Sequence, residues 1–194
     1  MPRIGTEFFL HDGITVARNL LGKHLVRRLD GEEVVCRIVE TEAYMGPHDK
    51  ASHAYENRKS SRTKVFYRRG GYVYIYLIYG MYYCCNIIAN VEDCPEAVLL
   101  RAVEPLSGID VIRKRRNTRR PKDLTNGPGK LCQALEIDER LYGYDLTSGQ
   151  EMWLEDSDQE FPISATPRVN IDYAEEYRDK PWRFHIKGNP FVSR

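Results

Sequence analysis

The chain is poor in the residues that announce a disulfide framework or a metal centre. Its five cysteines, Cys36, Cys84, Cys85, Cys94 and Cys132, are odd in number, show no CxxC spacing and lie mostly in apolar runs. Free buried thiols in a reducing cytoplasm are therefore expected, rather than a disulfide scaffold or a zinc knot. The histidines His11, His24, His48, His53 and His185 form no HExxH pair, and the HxE with PCxxC pattern of zinc deaminases is missing. No metal and no organic cofactor is expected. GxSxG is absent, which weakens the case for a serine hydrolase. Gly127-Pro128-Gly129-Lys130 has the glycines of a phosphate loop without the GxxxxGK[ST] spacing. It reads as a plain helix start or as a helix N-terminus able to hold a DNA phosphate.

Charge of one sign is also lacking, because the net charge is only +1. Composition therefore does not mark a nucleic-acid binder, although basic residues cluster at Arg113, Lys114, Arg115, Arg116, Arg119, Arg120 and Lys122. A solvated loop would tolerate the same run. The N-terminus has no apolar signal-peptide core. Gly71 to Ala89 is uncharged and nearly long enough to span a bilayer. However, it contains Tyr72, Tyr74, Tyr76, Tyr79, Tyr82 and Tyr83, with Gly80 in the middle. Tyrosines favour membrane interfaces rather than whole spans, so two strands of a cytoplasmic protein are expected and no membrane partner.

A length of 194 residues fits one domain with a substantial core. The spacing predicts a short helix over Ile14–Leu21, closed by Gly22. Strands Leu25–Leu29 and Glu33–Thr41 flank Asp30-Gly31, a hairpin signal. Further strands are expected at Tyr72–Ile78, Tyr82–Ala89, Glu96–Val103, Met152–Leu154, Arg168–Ile171 and Trp182–Ile186. Helices are expected at Ile109–Arg116 and Lys130–Leu135. No repeat or linker divides the chain, so a single mixed domain over 1–194 is the economical reading.

The most informative stretch is Val39-Glu40-Thr41-Glu42-Ala43-Tyr44. Alternate residues of a strand share a face, so Glu40, Glu42 and Tyr44 project together behind an apolar run. Charge on a buried face needs a partner or a chemical use. The blander readings are a solvated strand end or a glutamate paired to arginine. The second feature is Tyr79-Gly80-Met81, the expected tip of a hairpin. Such a tip could enter a groove of nucleic acid and prop open the stack; alternatively Tyr79 folds back on the core. Tyr44, His53 and Tyr76 could offer flat surfaces to a base, or be ordinary aromatic core.

Several blocks then resemble one family. They are Glu40-Thr41-Glu42-Ala43-Tyr44 with Gly46-Pro47 and His53; Tyr76-Leu77-Ile78-Tyr79-Gly80-Met81-Tyr82 with Asn86; Leu99 to Pro105; Gly127 to Leu135; and Pro181-Trp182-Arg183-Phe184. In order and spacing they are similar to the alkyladenine (3-methyladenine) DNA glycosylases, over nearly the whole chain. The resemblance implies an α+β single mixed domain with a curved, largely antiparallel sheet, surrounding helices and a protruding β-hairpin. It implies a monofunctional glycosylase acting as a monomer on double-stranded DNA with damaged purines of the 3-methyladenine or hypoxanthine type. Glu42 then matches the general base, and Arg101 and the backbone carbonyl of Val169 match groups that position the attacking water and the carboxylate. Tyr44, His53 and Tyr76 match the rings around the flipped base, and Asn86 a pocket residue that disfavours guanine. Tyr79, with Met81 beside it, matches the plug of the vacated stack. Arg115, Arg116 and Lys130 are expected on the DNA face. The loop from Glu56 to Lys64 departs from the vertebrate pattern, which bears on pocket width and lesion ranking.

Two other classes compete. A non-catalytic damage-binding protein on the same scaffold has no need of Glu42, and a single-strand or RNA-binding module would prefer undamaged single strands.

Overall fold

A computed structural model describes residues 1–118 and 120–193. Its centre is an eight-stranded, curled antiparallel sheet in a mixed α+β fold. The strands are β1 (His24–Leu29), β2 (Glu32–Tyr44), β3 (Val73–Ile78), β4 (Tyr82–Ala89), β5 (Glu96–Ser107), β6 (Met152–Glu155), β7 (Ile163–Thr166) and β8 (Arg183–Ile186). Along the main path the order is β3-β4-β5-β2-β1-β6, while β8 joins β2 and carries β7. Thus β2 is the spine. One edge pairs with β5 along its length, and the other is shared by β1 at its start and β8 at its end.

Two opposed register slips lie in the middle of this spine. Ile38 faces Val103 and Glu40 faces Ala102, so Val39 is extra on β2; Thr41 then faces Leu100, which leaves Arg101 extra on β5. Bulges of this kind bend a strand and re-aim side chains. Here they place Arg101 beside both Glu40 and Glu42 of β2. The pleat does the remaining sorting: Thr41 turns to the opposite face and donates to the Ala17 carbonyl at 2.8 Å.

Three α-helices pack around the sheet: α1 (Gly13–Asn19), α2 (Ile109–Arg116) and α3 (Pro128–Leu135). α1 starts a residue earlier than its apolar pattern because Asp12 caps it, accepting from the amides of Ile14 and Thr15. α3 starts two residues earlier, with Pro128 in its first turn where no amide donor is needed. Gly129 brings α3 against the β3–β4 hairpin, since a Cβ there would lie 3.0 Å from that of Tyr82. The core under the sheet includes Phe9, Leu20, Ile38, Ile87, Leu100 and Leu131.

One expected strand does not form. Arg168–Ile171 is irregular, and the strand upstream is Ile163–Thr166. Side chains rather than a ladder hold this segment. Arg168 reaches back to a buried Asp49 at 2.6 and 2.9 Å and to the Ala43 carbonyl at 3.0 Å. Asn170 follows with φ of 59°, which no ladder residue adopts. Gly71 to Ala89 is two strands and a turn, and no helix among the described residues is long and apolar enough to cross a membrane. All five cysteines are free; burial pushes the Cys36 and Cys85 thiols up to about 12.

Candidate active site

Cross-strand pairing gathers the site. Tyr74 faces Asn86, Asn86 faces Leu99, and Leu99 faces Glu42, in one row across β3, β4, β5 and β2. Directly opposed residues share a face, as do residues two apart, so Tyr76, Cys84 and Tyr44 belong to the same surface. Above it lies an open groove of about 720 Å³, bounded by Tyr44, His53, Tyr76, Arg101, Val169 and the hairpin. A recess of about 50 Å³, with Asn86 in its wall, shares Tyr44, His53, Tyr76 and Tyr173 with the groove.

Glu42 is wholly buried behind this wall. Its Oε1 accepts from the Val169 amide at 2.8 Å; its Oε2 accepts from the Tyr44 hydroxyl at 2.9 Å and from Arg101 Nη1 at 3.4 Å. Three donors on a carboxylate leave acceptor room for one water. Val169 reaches Glu42 through its amide; the carbonyl that the resemblance assigns to the attacking water is a separate atom of the same residue. Burial, and then the charge of Glu42, hold the Tyr44 phenol well above its ordinary range, so it remains a donor. Burial alone would lower Arg101, but Glu42 and Glu40 outweigh it and hold the guanidinium charged.

Glu40, also wholly buried, takes the arginine-paired reading. It accepts from Arg101 Nε at 3.1 Å, Arg183 Nε at 2.6 Å, and the amide and hydroxyl of Ser193 at 2.6 and 2.8 Å.

Two of the three rings singled out in the sequence touch, and all three border the groove. His53 and Tyr76 contact edge to face, with centroids 4.7 Å apart, and Tyr74 stacks beside Tyr76. Arg168 lies over the ring of Tyr44 at 4.7 Å, which stiffens that wall. Asn86 is buried and donates to the Tyr74 carbonyl at 3.3 Å.

At the hairpin tip Tyr79 is 76% exposed and Met81 68%, so neither folds back on the core. Tyr79 and Gly80 have φ of 54° and 66°, and the Met81 amide donates to Ile78, the signs of a type I′ turn. A bulky non-glycine residue held at positive φ costs about 1–2 kcal/mol.

The basic residues divide. Lys130 and Arg116 line the groove, although Lys130 bonds Asn126 at 2.7 Å and Arg116 donates to the carbonyls of Leu124 and Asp123. Arg115 is folded into ion pairs with Glu136 at 2.9 Å and Glu32 at 3.9 Å. Arg119, also in this run, lies outside the described residues. No cluster of three or more His, Cys, Asp or Glu suited to a metal occurs among the described residues.

Residues that the sequence reading missed include Arg62, Asp49, Arg168 and Tyr173. Asp49 and Arg168 are 119 positions apart, and no local pattern links them.

Fold and site together define an α+β protein built around a carboxylate centre at the wall of a ring-lined groove. The family model described as Methylpurine-DNA glycosylase (MPG) matches residues 7–190, and the chain belongs to this family. It is 54% identical to a protein of Natranaerobius thermophilus over 195 residues, covering 98% of each chain. It is 47% identical to one of Clostridium novyi over 203 residues, covering 100% of each, and 47% identical to one of Alkaliphilus oremlandii, covering 99% of each. All three carry the name "Putative 3-methyladenine DNA glycosylase".

Proposed function

We propose that this chain is a monofunctional DNA glycosylase that extrudes alkylated or deaminated purines from duplex DNA and hydrolyses their N-glycosidic bond. The observation that carries this reading is Glu42: a buried carboxylate with one acceptor position left, held by Tyr44, Arg101 and Val169, which line a groove bordered by rings. A base inside a duplex is out of reach of such a group, so extrusion must come first, at a cost of a few kcal/mol. Stacking on Tyr44, His53 and Tyr76, at about 1–3 kcal/mol per base, offsets that cost. Tyr79 fills the vacated stack with Met81 beside it, and the positive φ of Tyr79 fits a functional constraint better than a structural one.

In the chemical step Glu42 accepts a proton from water while the water oxygen bonds to C1′ of the sugar. The C1′–N bond breaks and its electron pair leaves with the purine. A cationic or electron-poor purine needs little acid assistance. Arg101 and the Val169 amide fix the carboxylate, and a base so positioned contributes about 10²–10⁴-fold. Asn86 crowds the exocyclic amine of guanine. Arg116 and Lys130 meet phosphates; Arg115 joins them only by exchanging its carboxylate partners. The enzyme acts as a monomer in the cytoplasm, at the nucleoid in a bacterial cell.

Single-turnover release of hypoxanthine and of 3-methyladenine from duplex DNA tests the reading, with release of at least one expected. Lesion binding without release of either would make this a damage-binding protein. Tighter binding to undamaged single strands would sink the proposal. Tyr79→Ala is expected to weaken binding of lesion duplex about tenfold or more while sparing undamaged duplex, because plugging follows encounter. Equal losses in a filter-binding comparison would remove the plug role.

A further inference from the structure

The loop ahead of β3 makes a polar contact that the scheme above does not use. Arg62 Nε donates to the Tyr74 hydroxyl at 3.0 Å, and the same hydroxyl lies 2.8 Å from His53 Nδ1. A guanidinium can only donate, so this hydroxyl accepts from Arg62 and has one proton left to give. That proton is directed to Nδ1. Arg62 Nη2 lies 3.5 Å from the same Nδ1, a second donor-only group facing it. An Nδ1–H would reverse the bond to Tyr74, leave the Tyr74 proton with no partner among the described residues, and face the Arg62 Nη2 donor. These contacts favour the Nε2–H tautomer, and Nε2 has no protein partner among the described residues.

Burial, and then the charge of Arg62, lower His53 to about 4, so the ring is neutral under ordinary conditions. The titratable groups around it are Arg62 on the loop, Tyr74 and Tyr76 on β3, and Tyr44 and Tyr173 across the recess. None of these is a carboxylate able to recharge it.

We propose that Arg62 and Tyr74 form a relay that locks His53 as a hydrogen-bond donor, aimed at an acceptor atom of the extruded nucleotide. His53 is then more than a stacking surface: it selects nucleotides that present an acceptor at that position. A purine ring nitrogen or carbonyl oxygen meets this requirement, and so does a phosphate oxygen of the same nucleotide. Arg62 and Tyr74 are positioning residues that act through His53. This inference rests on the reading of the recess as a nucleotide site, but the tautomer can be measured without DNA.

The test has two parts. Nitrogen-15 NMR of the histidine ring, assigned with His53→Phe, is expected to show Nδ1 unprotonated and Nε2 protonated in the free protein. Tyr74→Phe keeps the ring and deletes the relay, and is expected to mix the tautomers. Arg62→Met alters an exposed side chain, so folding is kept, and is expected to raise the His53 titration midpoint. An Nδ1–H signal in the wild type, or tautomers unmoved by Tyr74→Phe, would overturn the proposal whatever the protein binds. The second part measures affinity of wild type and Tyr74→Phe for duplexes carrying hypoxanthine or a tetrahydrofuran abasic site. A loss of about tenfold on hypoxanthine alone places the acceptor on the base, and equal losses on both place it on the phosphate. No loss on either, with the tautomer changed, would show that the donor meets nothing and would reject the recognition role.

Discussion

Glu40 and Glu42 stand two residues apart on one strand, both wholly buried and both touched by Arg101, yet their surroundings differ in kind. Glu40 receives four donors, two of them from cationic side chains and two from Ser193 near the end of the chain. Its partners close around it and tie β2, β5, β8 and the C-terminal segment together. Glu42 receives three, and those partners, Tyr44, Arg101 and Val169, are themselves walls of the groove. Equal burial and equal spacing therefore do not imply equal roles. In the proposed reading, what separates the structural carboxylate from the reactive one is the number of donors already taken and the groove that the partners of Glu42 wall.

The largest effects should divide along this line. Glu42→Gln is expected to slow base release by about 10²–10⁴-fold in single turnover, with a loss of stability smaller than that of Glu40→Gln because Arg101 keeps its Glu40 partner. Glu40→Gln leaves the buried Arg101 and the half-buried Arg183 short of charge, and is expected to cost about 3–5 kcal/mol in urea unfolding. The protein that remains folded should keep excision within about tenfold. A smaller pair sharpens the contrast. Ser193→Ala is expected to cost about 1 kcal/mol of stability, whereas Tyr44→Phe should cost a few-fold in rate and no more than that in stability. If the two variants trade places, the comparison fails.

The smallest effect is a pH dependence on the groove side. His53 has a folded value of about 4, below the ordinary 6.5, because burial and Arg62 disfavour its cation. The unfolded chain therefore binds the proton first as pH falls. The stability associated with neutral His53 is complete above pH 6.5 and is lost as pH drops toward about 4. His53→Phe should flatten urea midpoints across that window, and an unchanged slope would contradict the assignment.

Much of this was legible in the chain because local chemistry decides it. Asp30-Gly31 makes a hairpin, and alternation puts Glu42 and Tyr44 on one face. Tyr79-Gly80-Met81 is a tip because glycine and positive φ suit a tight turn, and its exposure follows. The bulges were not legible, because Val39 and Arg101 become extra only when β2 meets β5, and neither strand alone carries a signal. Arg168–Ile171 looks like a strand by its apolar residues, yet its conformation depends on Asp49, far away in sequence. The basic run gave no hint that Arg115 spends its charge on Glu136, a residue beyond the next helix. Likewise, the Arg62–Tyr74–His53 contact joins a loop to a strand and leaves no spacing pattern.

One measurement tests the central claim most directly: single-turnover base release by Glu42→Gln and Glu40→Gln on the same lesion duplex, each corrected for folded fraction and paired with its binding affinity. The account predicts lesion binding without release for Glu42→Gln, and release by the folded fraction of Glu40→Gln. Release by Glu42→Gln at the wild-type rate would contradict it.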